Sequence, residues 1–160
     1  MLSVRILCVG RLKESYWREA CAEYSKRLSA FCRFEIDEVE ESRVPENASK
    51  AQIDAALQAE GRRLLERVPA GCRTIALCIE GRELSSEALA ASMDSAMVGG
   101  VSSMAFLIGG SWGLSRDVKQ QCNRRISMSP MTFPHQLARV MICEQIYRAF
   151  QISSGGKYHK

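Results

Sequence analysis

The chain has 160 residues, 46% of them hydrophobic and 25% charged, with a formal net charge of +4. That balance belongs to an ordinary globular domain with one sizeable core, and it excludes disordered and fibrous classes. The longest apolar runs, Ile75 to Ile79 and Met104 to Ile108, are too short to span a bilayer, and Met1 to Gly10 lacks the layout of a signal peptide, so one cytoplasmic domain over residues 1–160 is expected.

The first element expected is a strand over Ser3 to Val9, a β-rich apolar run ended by Gly10 and followed by the charged loop Arg11 to Glu14. Between Tyr16 and Leu28 the apolar residues Trp17, Cys21, Tyr24 and Leu28 recur at helical spacing, which places them on one stripe of a helix. Cys32 to Asp37 alternates, with Cys32, Phe34 and Ile36 on one face and charged residues on the other, as a half-exposed edge strand does. The acidic stretch Glu38 to Asn47 contains Pro45 and reads as a loop. It leads into an amphipathic helix carrying Ile53, Leu57, Leu64 and Val68, stopped by Pro69-Ala70-Gly71.

Thr74 to Glu80 is apolar through its centre, as expected of a central strand covered on both faces, and Gly81 is expected to end it. Ser85 or Ser86 can cap the next helix, whose Leu89, Met93 and Met97 face inward and which Gly99-Gly100 terminates. The strand Met104 to Ile108 then runs into Gly109-Gly110. A short basic helix, a second short strand ending at Met128 to Phe133, and a long helix from Pro134 to about Ile152 complete the chain. Strands and helices alternate throughout, with no internal repeat and no separating linker. The fold class is therefore α/β, a single domain with a mostly parallel sheet. In the last helix Leu137, Val140, Met141, Ile142, Ile146, Tyr147 and Phe150 cannot share one stripe, so it is either a central core helix or one that also faces a partner chain.

Two neighbouring strand ends define a candidate ligand site, because small molecules in open α/β sheets sit beyond the carboxyl ends of the strands, where glycine lets backbone approach. The loop Gly109-Gly110-Ser111-Trp112-Gly113 lacks the lysine of a phosphate loop and the spacing of a dinucleotide fingerprint, which disfavours phosphate cradling and a nicotinamide-dependent oxidoreductase. Met128 to Phe133 carries no charge. It offers backbone polar groups, two methionines and Pro130, a lining suited to a flat heterocycle and an apolar stem such as adenine with a thioether or sulfonium.

Charge is uneven along the chain. From Ser111 onward eight Lys/Arg stand against Asp117 and Glu144, a balance of +6, while the first 110 residues carry −2. A solvated face and a polyanionic partner such as RNA both fit this bias. The seven cysteines form no C-x-x-C pair and lie in apolar patterns, so they read as reduced, buried small hydrophobes rather than metal ligands. The chain has two histidines, His135 and His159, the side-chain type suited to moving a proton near neutrality. His135 reads as a structural or capping residue of the last helix, and His159 lies in a polar tail of a kind that ordinarily frays. Glu144, among apolar neighbours, is expected to pair with Arg148 or Arg139.

The segments L-I-G-G-S-W-G-L-S-R-D-V and M-S-P-M-T-F-P-H-Q-L-A-R-V-M-I-C-E-Q-I-Y-R-A-F, with the terminal Y-H-K, V-G-R-L-K-E near the start and L-C-I-E-G in the middle, resemble the ribosomal RNA large subunit methyltransferase H family over the whole chain. The resemblance implies a SPOUT-type fold with a C-terminal trefoil knot and methylation of N3 of a pseudouridine in 23S, large-subunit, ribosomal RNA by S-adenosylmethionine. It assigns cofactor binding to Leu77, Gly109, Met128, Ser129, Pro130, Met131, Thr132 and Phe133. Catalytic roles in substrate placement and proton handling fall on Tyr158 and His159, completing a site across a homodimer, and RNA phosphate contacts fall on Arg139 and Lys160. The substrate expected is an assembled ribosome. Gly155-Gly156-Lys157 stands where relatives often carry proline, and Trp112 falls at a variable position with no assigned role. A rival reading is a non-catalytic RNA-binding or ribosome-assembly module of the same fold.

Overall fold

The computed structural model describes residues 1–160. Ten elements alternate along it: β1 (Ser3–Val9), α1 (Ser15–Leu28), β2 (Arg33–Val39), α2 (Lys50–Glu66), β3 (Arg73–Glu83), α3 (Ser86–Val98), β4 (Ser103–Ile108), α4 (Arg116–Gln121), β5 (Arg124–Ser127) and α5 (His135–Ser153). The five strands form one sheet in the order β2-β1-β4-β3-β5, and every pairing between them is parallel.

Side chains alternate across the sheet because successive residues of a strand point to opposite faces. Val4, Ile6 and Cys8 of β1 join Met104, Phe106 and Ile108 of β4 in a core closed by α1, α3 and α5. Leu7, Val9, Ala105 and Leu107 point the other way and meet Leu64 of α2 and Val118 of α4. The sheet is thus covered on both faces, which explains why its central strands are apolar almost without interruption.

Local signals hold the helices in place. Ser49 and Gln52 form a reciprocal capping box at the start of α2, and Ser85 and Ser115 accept from the backbone N–H of Ala88 and Val118 at the starts of α3 and α4. The stripe of α1 packs as expected, with Cys21 and Leu28 buried and Trp17 and Tyr24 laid partly against the same core. In α5 a core stripe of Ile142, Cys143, Ile146, Ala149 and Phe150 is buried, whereas Leu137 and Met141 remain half-buried outside it.

One boundary departs from the sequence reading. Gly81 does not end β3, which runs on to Glu83. Ile126 of β5 pairs with both Leu77 and Arg82, so the residues between them form an irregular excursion from the ladder. A Cβ on Gly81 would fall 2.5 Å from the backbone carbonyl carbon of Ile126. The glycine is there for close approach of two backbones, a use that from sequence looks the same as a stop.

Candidate active site

Three chain segments meet beyond the carboxyl ends of β3, β4 and β5 and enclose a crevice of about 760 Å³. They are the excursion Leu77–Glu80, the loop Ile108–Leu114, and the stretch from Ser127 into the first turn of α5. A volume of this size accommodates a nucleoside-sized organic molecule.

Each segment has a local reason for its shape. The chain reverses after β4 in a turn where Gly113 donates its N–H to the Gly110 carbonyl at 3.0 Å, with Gly113 at a φ of +79°. Gly109 lies so close beneath this turn that a Cβ there would fall 2.1 Å from the Gly113 carbonyl carbon. Beyond β5, the Ser127 hydroxyl donates to the Ser129 carbonyl at 3.0 Å, and the Ser129 hydroxyl accepts from the Met131 N–H at 3.0 Å. These bonds curl the segment and turn its backbone polar groups and methionines toward the crevice.

The crevice carries little net charge. Its one lysine, Lys119, pairs with Glu80 at 2.5 Å, and that bond holds the Glu80 carboxyl below its usual range. Burial, and then the neighbouring Arg139, push the His135 imidazole toward its neutral form, against a weaker opposing effect of Glu41. An uncharged wall of apolar side chains and backbone amides suits an organic ligand rather than a polyphosphate.

Seven of the eight positions that the resemblance ties to a cofactor line this crevice: Leu77, Gly109, Met128, Ser129, Met131, Thr132 and Phe133. Pro130 is exposed and does not line it. The end of the third strand is expected at the site through Leu77 and L-C-I-E-G, which does not single out Cys78, Ile79 and Glu80, and sequence reasoning missed Lys119, which enters from α4. Only the packing of α4 brings Lys119 to the site, and no local pattern signals it.

Arg139 requires a correction. Instead of reaching out to phosphate, its side chain is only 2% exposed and runs under the first turns of α5. Nη1 donates to Glu38 Oε2 at 2.6 Å, and Nη2 donates to the carbonyls of Gly10 and Val9 at 3.0 and 3.3 Å. Nε is buried without a partner. Arg139 therefore ties the ends of β1 and β2 to α5 from inside the domain.

The carboxyl-terminal tail folds back onto α5 and does not fray outward. The Tyr158 ring packs edge-on against Tyr147 at 4.8 Å, lies under the Arg148 guanidinium at 4.7 Å, and its hydroxyl donates to Glu144 Oε1 at 3.1 Å. Burial, with Tyr24 and the Glu144 carboxylate adding to it, pushes the Tyr158 phenol up to about 12. His159 lies between Glu87, 2.8 Å from Nε2, and Arg148, 3.1 Å from Nδ1. Since arginine only donates, this network assigns the proton of neutral His159 to Nε2. Glu144 pairs with Arg148, one of the two partners expected for it. Lys160 is exposed. None of Tyr158, His159 and Lys160 lines the crevice of its own chain. The tail lies instead beside a second groove of about 410 Å³ between the start of α3 and α5, lined in part by Tyr24, Ser86 and Glu144.

A doubly covered parallel sheet with a glycine-floored crevice of little net charge at its strand ends defines an α/β protein with room for a small organic ligand. The family described as "Predicted SPOUT methyltransferase" matches residues 2–159, and the chain belongs to that family. Among solved structures it is similar to a probable methylase family protein from Haemophilus influenzae Rd KW20, with a TM-score of 0.54 and 14% identity over 100% of this chain and 72% of the other. It is also similar to a "putative methylase family protein" from Neisseria gonorrhoeae, with a TM-score of 0.53 and 14% identity over 91% of this chain and 82% of the other. At that identity the likeness is one of fold. No helix is long and apolar enough to cross a membrane.

Proposed function

We propose that this protein transfers the methyl group of S-adenosylmethionine to N3 of a pseudouridine in 23S ribosomal RNA, acting in the cytoplasm as a homodimer on the assembled ribosome. The observation that carries the reading is the convergence of L-C-I-E-G, L-I-G-G-S-W-G-L and M-S-P-M-T-F-P-H on one crevice of about 760 Å³ with little net charge. These are the segments whose residues resemble the ribosomal RNA methyltransferases, and SPOUT methyltransferases generally use S-adenosylmethionine. The family's trefoil knot is part of the same proposal.

The cofactor supplies a methyl group already activated on a sulfonium. What remains for the protein is to hold that methyl in line with N3 and to help an imide nitrogen lose its proton, and positioning is the larger contribution. Gly109 admits the ligand to the backbone, and the Ser129 to Phe133 backbone reads the edge of a flat heterocycle. Neutral His135 adds no positive charge beside a cationic sulfonium.

Proton handling falls to the tail. Tyr158, kept protonated at neutral pH, serves as a hydrogen-bond donor that orients substrate. His159 accepts the N3 proton at Nδ1 once Arg148 gives up that atom, and Glu87 at Nε2 stabilises the imidazolium that results. Because the tail lies away from the crevice of its own chain, the tail of a second copy completes each site. Leu137 and Met141, half-buried outside the core stripe of α5, supply apolar surface for that pairing. Lys160 contacts phosphate.

Removing Tyr158 to Lys160 tests the division of labour. Methyl transfer is expected to disappear while S-adenosylhomocysteine binding, followed by calorimetry, stays unchanged. Unchanged turnover would contradict the role of the tail, and joint loss of binding and turnover would contradict its separation from the cofactor site.

A further inference from the structure

Trp112 is 57% exposed, and two other large apolar side chains beside it, Met131 and Ile79, are 72% and 53% exposed. All three line the same crevice. Isolated exposed hydrophobics need no explanation, but a cluster of them around one opening marks a surface that is covered in use. Trp112 sits in the tight turn closed by the Gly113 to Gly110 hydrogen bond, between exposed Ser111 and Gly113. No aromatic ring and no guanidinium stacks on its indole, whereas Tyr24, Tyr147 and Tyr158 of the same chain are each engaged in such contacts. The turn therefore presents an unoccupied aromatic ring to solvent.

The surroundings carry a small excess of positive charge. Lys119 lines the crevice, and Arg125 donates to the Lys119 carbonyl at 3.0 Å, which places it alongside. Arg116 stands exposed at the start of α4. Glu80 and Lys119 offset one another, which leaves Arg116 and Arg125 against the single carboxylate Asp117. An aromatic platform flanked by lysine and arginine is how proteins hold an unpaired base while tracking its phosphates.

We propose that Trp112 is a stacking platform for an unpaired nucleobase of the RNA substrate, seated at the mouth of the crevice outside the cofactor and beside the Arg116, Lys119 and Arg125 cations. The inference rests on the RNA methyltransferase reading, since a ligand enclosed by the crevice leaves this outer ring for the substrate. It concerns a residue to which that reading gives no role.

The test uses the full-length chain with Trp17→Phe, so that Trp112 is the sole indole, saturated with S-adenosylhomocysteine. A synthetic RNA hairpin with an unpaired uridine-rich loop and a fully paired RNA duplex of equal length are the probes. The hairpin is expected to quench Trp112 emission and the duplex to leave it nearly unchanged. In the parent chain, Trp112→Ala is expected to weaken hairpin binding by about tenfold, within the range that removal of a stacking ring produces, and Trp112→Phe to restore most of it. S-adenosylhomocysteine affinity should stay the same in both variants. In methyl-transfer assays Trp112→Ala should raise KM for RNA and leave kcat in place.

Equal quenching by hairpin and duplex, or an unchanged hairpin affinity in Trp112→Ala, would overturn the proposal. A fall in cofactor affinity would assign the ring to the cofactor instead, and a shift of the protein toward monomer in sedimentation would assign it to contact between copies. Either result overturns the proposal too. If the wild-type chain binds the hairpin through Trp112 but methylates no RNA, the methyltransferase reading fails while the stacking site stands.

Discussion

Gly109 and Gly113 approach so closely that a methyl group on Gly109 would fall 2.1 Å from the Gly113 carbonyl carbon, a backbone atom that cannot step aside without reshaping the turn. The floor of the crevice therefore depends on the absence of a side chain at Gly109. Gly109→Ala is expected to reduce S-adenosylhomocysteine affinity at least tenfold and to lower thermal stability. Gly110→Ala, whose added carbon would meet only a Val9 methyl at 3.2 Å, should do much less. Calorimetric titration of both variants checks the contrast, and equal effects would count against it.

Arg139 offers a second test, because an internal clamp and a phosphate contact behave differently. Replacing it with Met removes donors from the Gly10 and Val9 carbonyls and leaves Glu38 without its partner. Since Glu38 is partly exposed and can rehydrate, the expected destabilisation is ~2–4 kcal/mol, at or below the usual cost of breaking a buried pair. Urea unfolding measures that loss. The salt dependence of RNA binding by the folded variant should keep its slope. A slope lower by about one would restore Arg139 as a phosphate contact.

The cysteines report on the crevice. Burial pushes the Cys8 thiol up to about 12 and the Cys32 thiol up to about 11, and it raises the half-buried Cys72 and Cys78 as well. Cys78 lines the crevice and Cys72 does not. Iodoacetamide on the native protein at mildly alkaline pH is expected to label Cys72 and Cys78 first, as the two that are not fully buried. S-adenosylhomocysteine should protect Cys78 alone. Peptide mass mapping reads both sites, and equal protection of Cys72 would mean that the ligand lies elsewhere.

Much of this architecture is legible in the sequence, because the signals that specify it are local. β1 occupies Ser3–Val9 as its apolar run predicts, and Ser85 and Gly99 bracket α3 as expected, whereas the sequence reading does not anticipate the Ser49 cap of α2, and that helix ends at Glu66, ahead of Pro69-Ala70-Gly71. Met128 to Phe133 and Gly109-Gly110 stand out because uncharged, glycine-bounded strand ends are uncommon chemistry for a surface. Other features are settled by partners far away in the chain. Gly81 looks like a stop but serves a close approach to Ile126, a contact that exists only once β5 pairs beside β3. Arg139 looks like a surface cation on an amphipathic helix, whereas Glu38 lies 101 residues earlier at the end of an edge strand. The tail looks frayed because its residues are polar, yet Tyr147, Arg148 and Glu144 on α5 and Glu87 on α3 give Tyr158 and His159 partners.

The reaction is tested by transfer of labelled methyl from S-adenosylmethionine to unmodified whole ribosomes, separated large subunits and stripped ribosomal RNA, with mass mapping of the product. Label is expected at N3 of a single pseudouridine of large-subunit RNA, strongest on the assembled ribosome. No label on any of the three substrates by a protein that binds the cofactor, or label on a different atom, would contradict the proposed reaction.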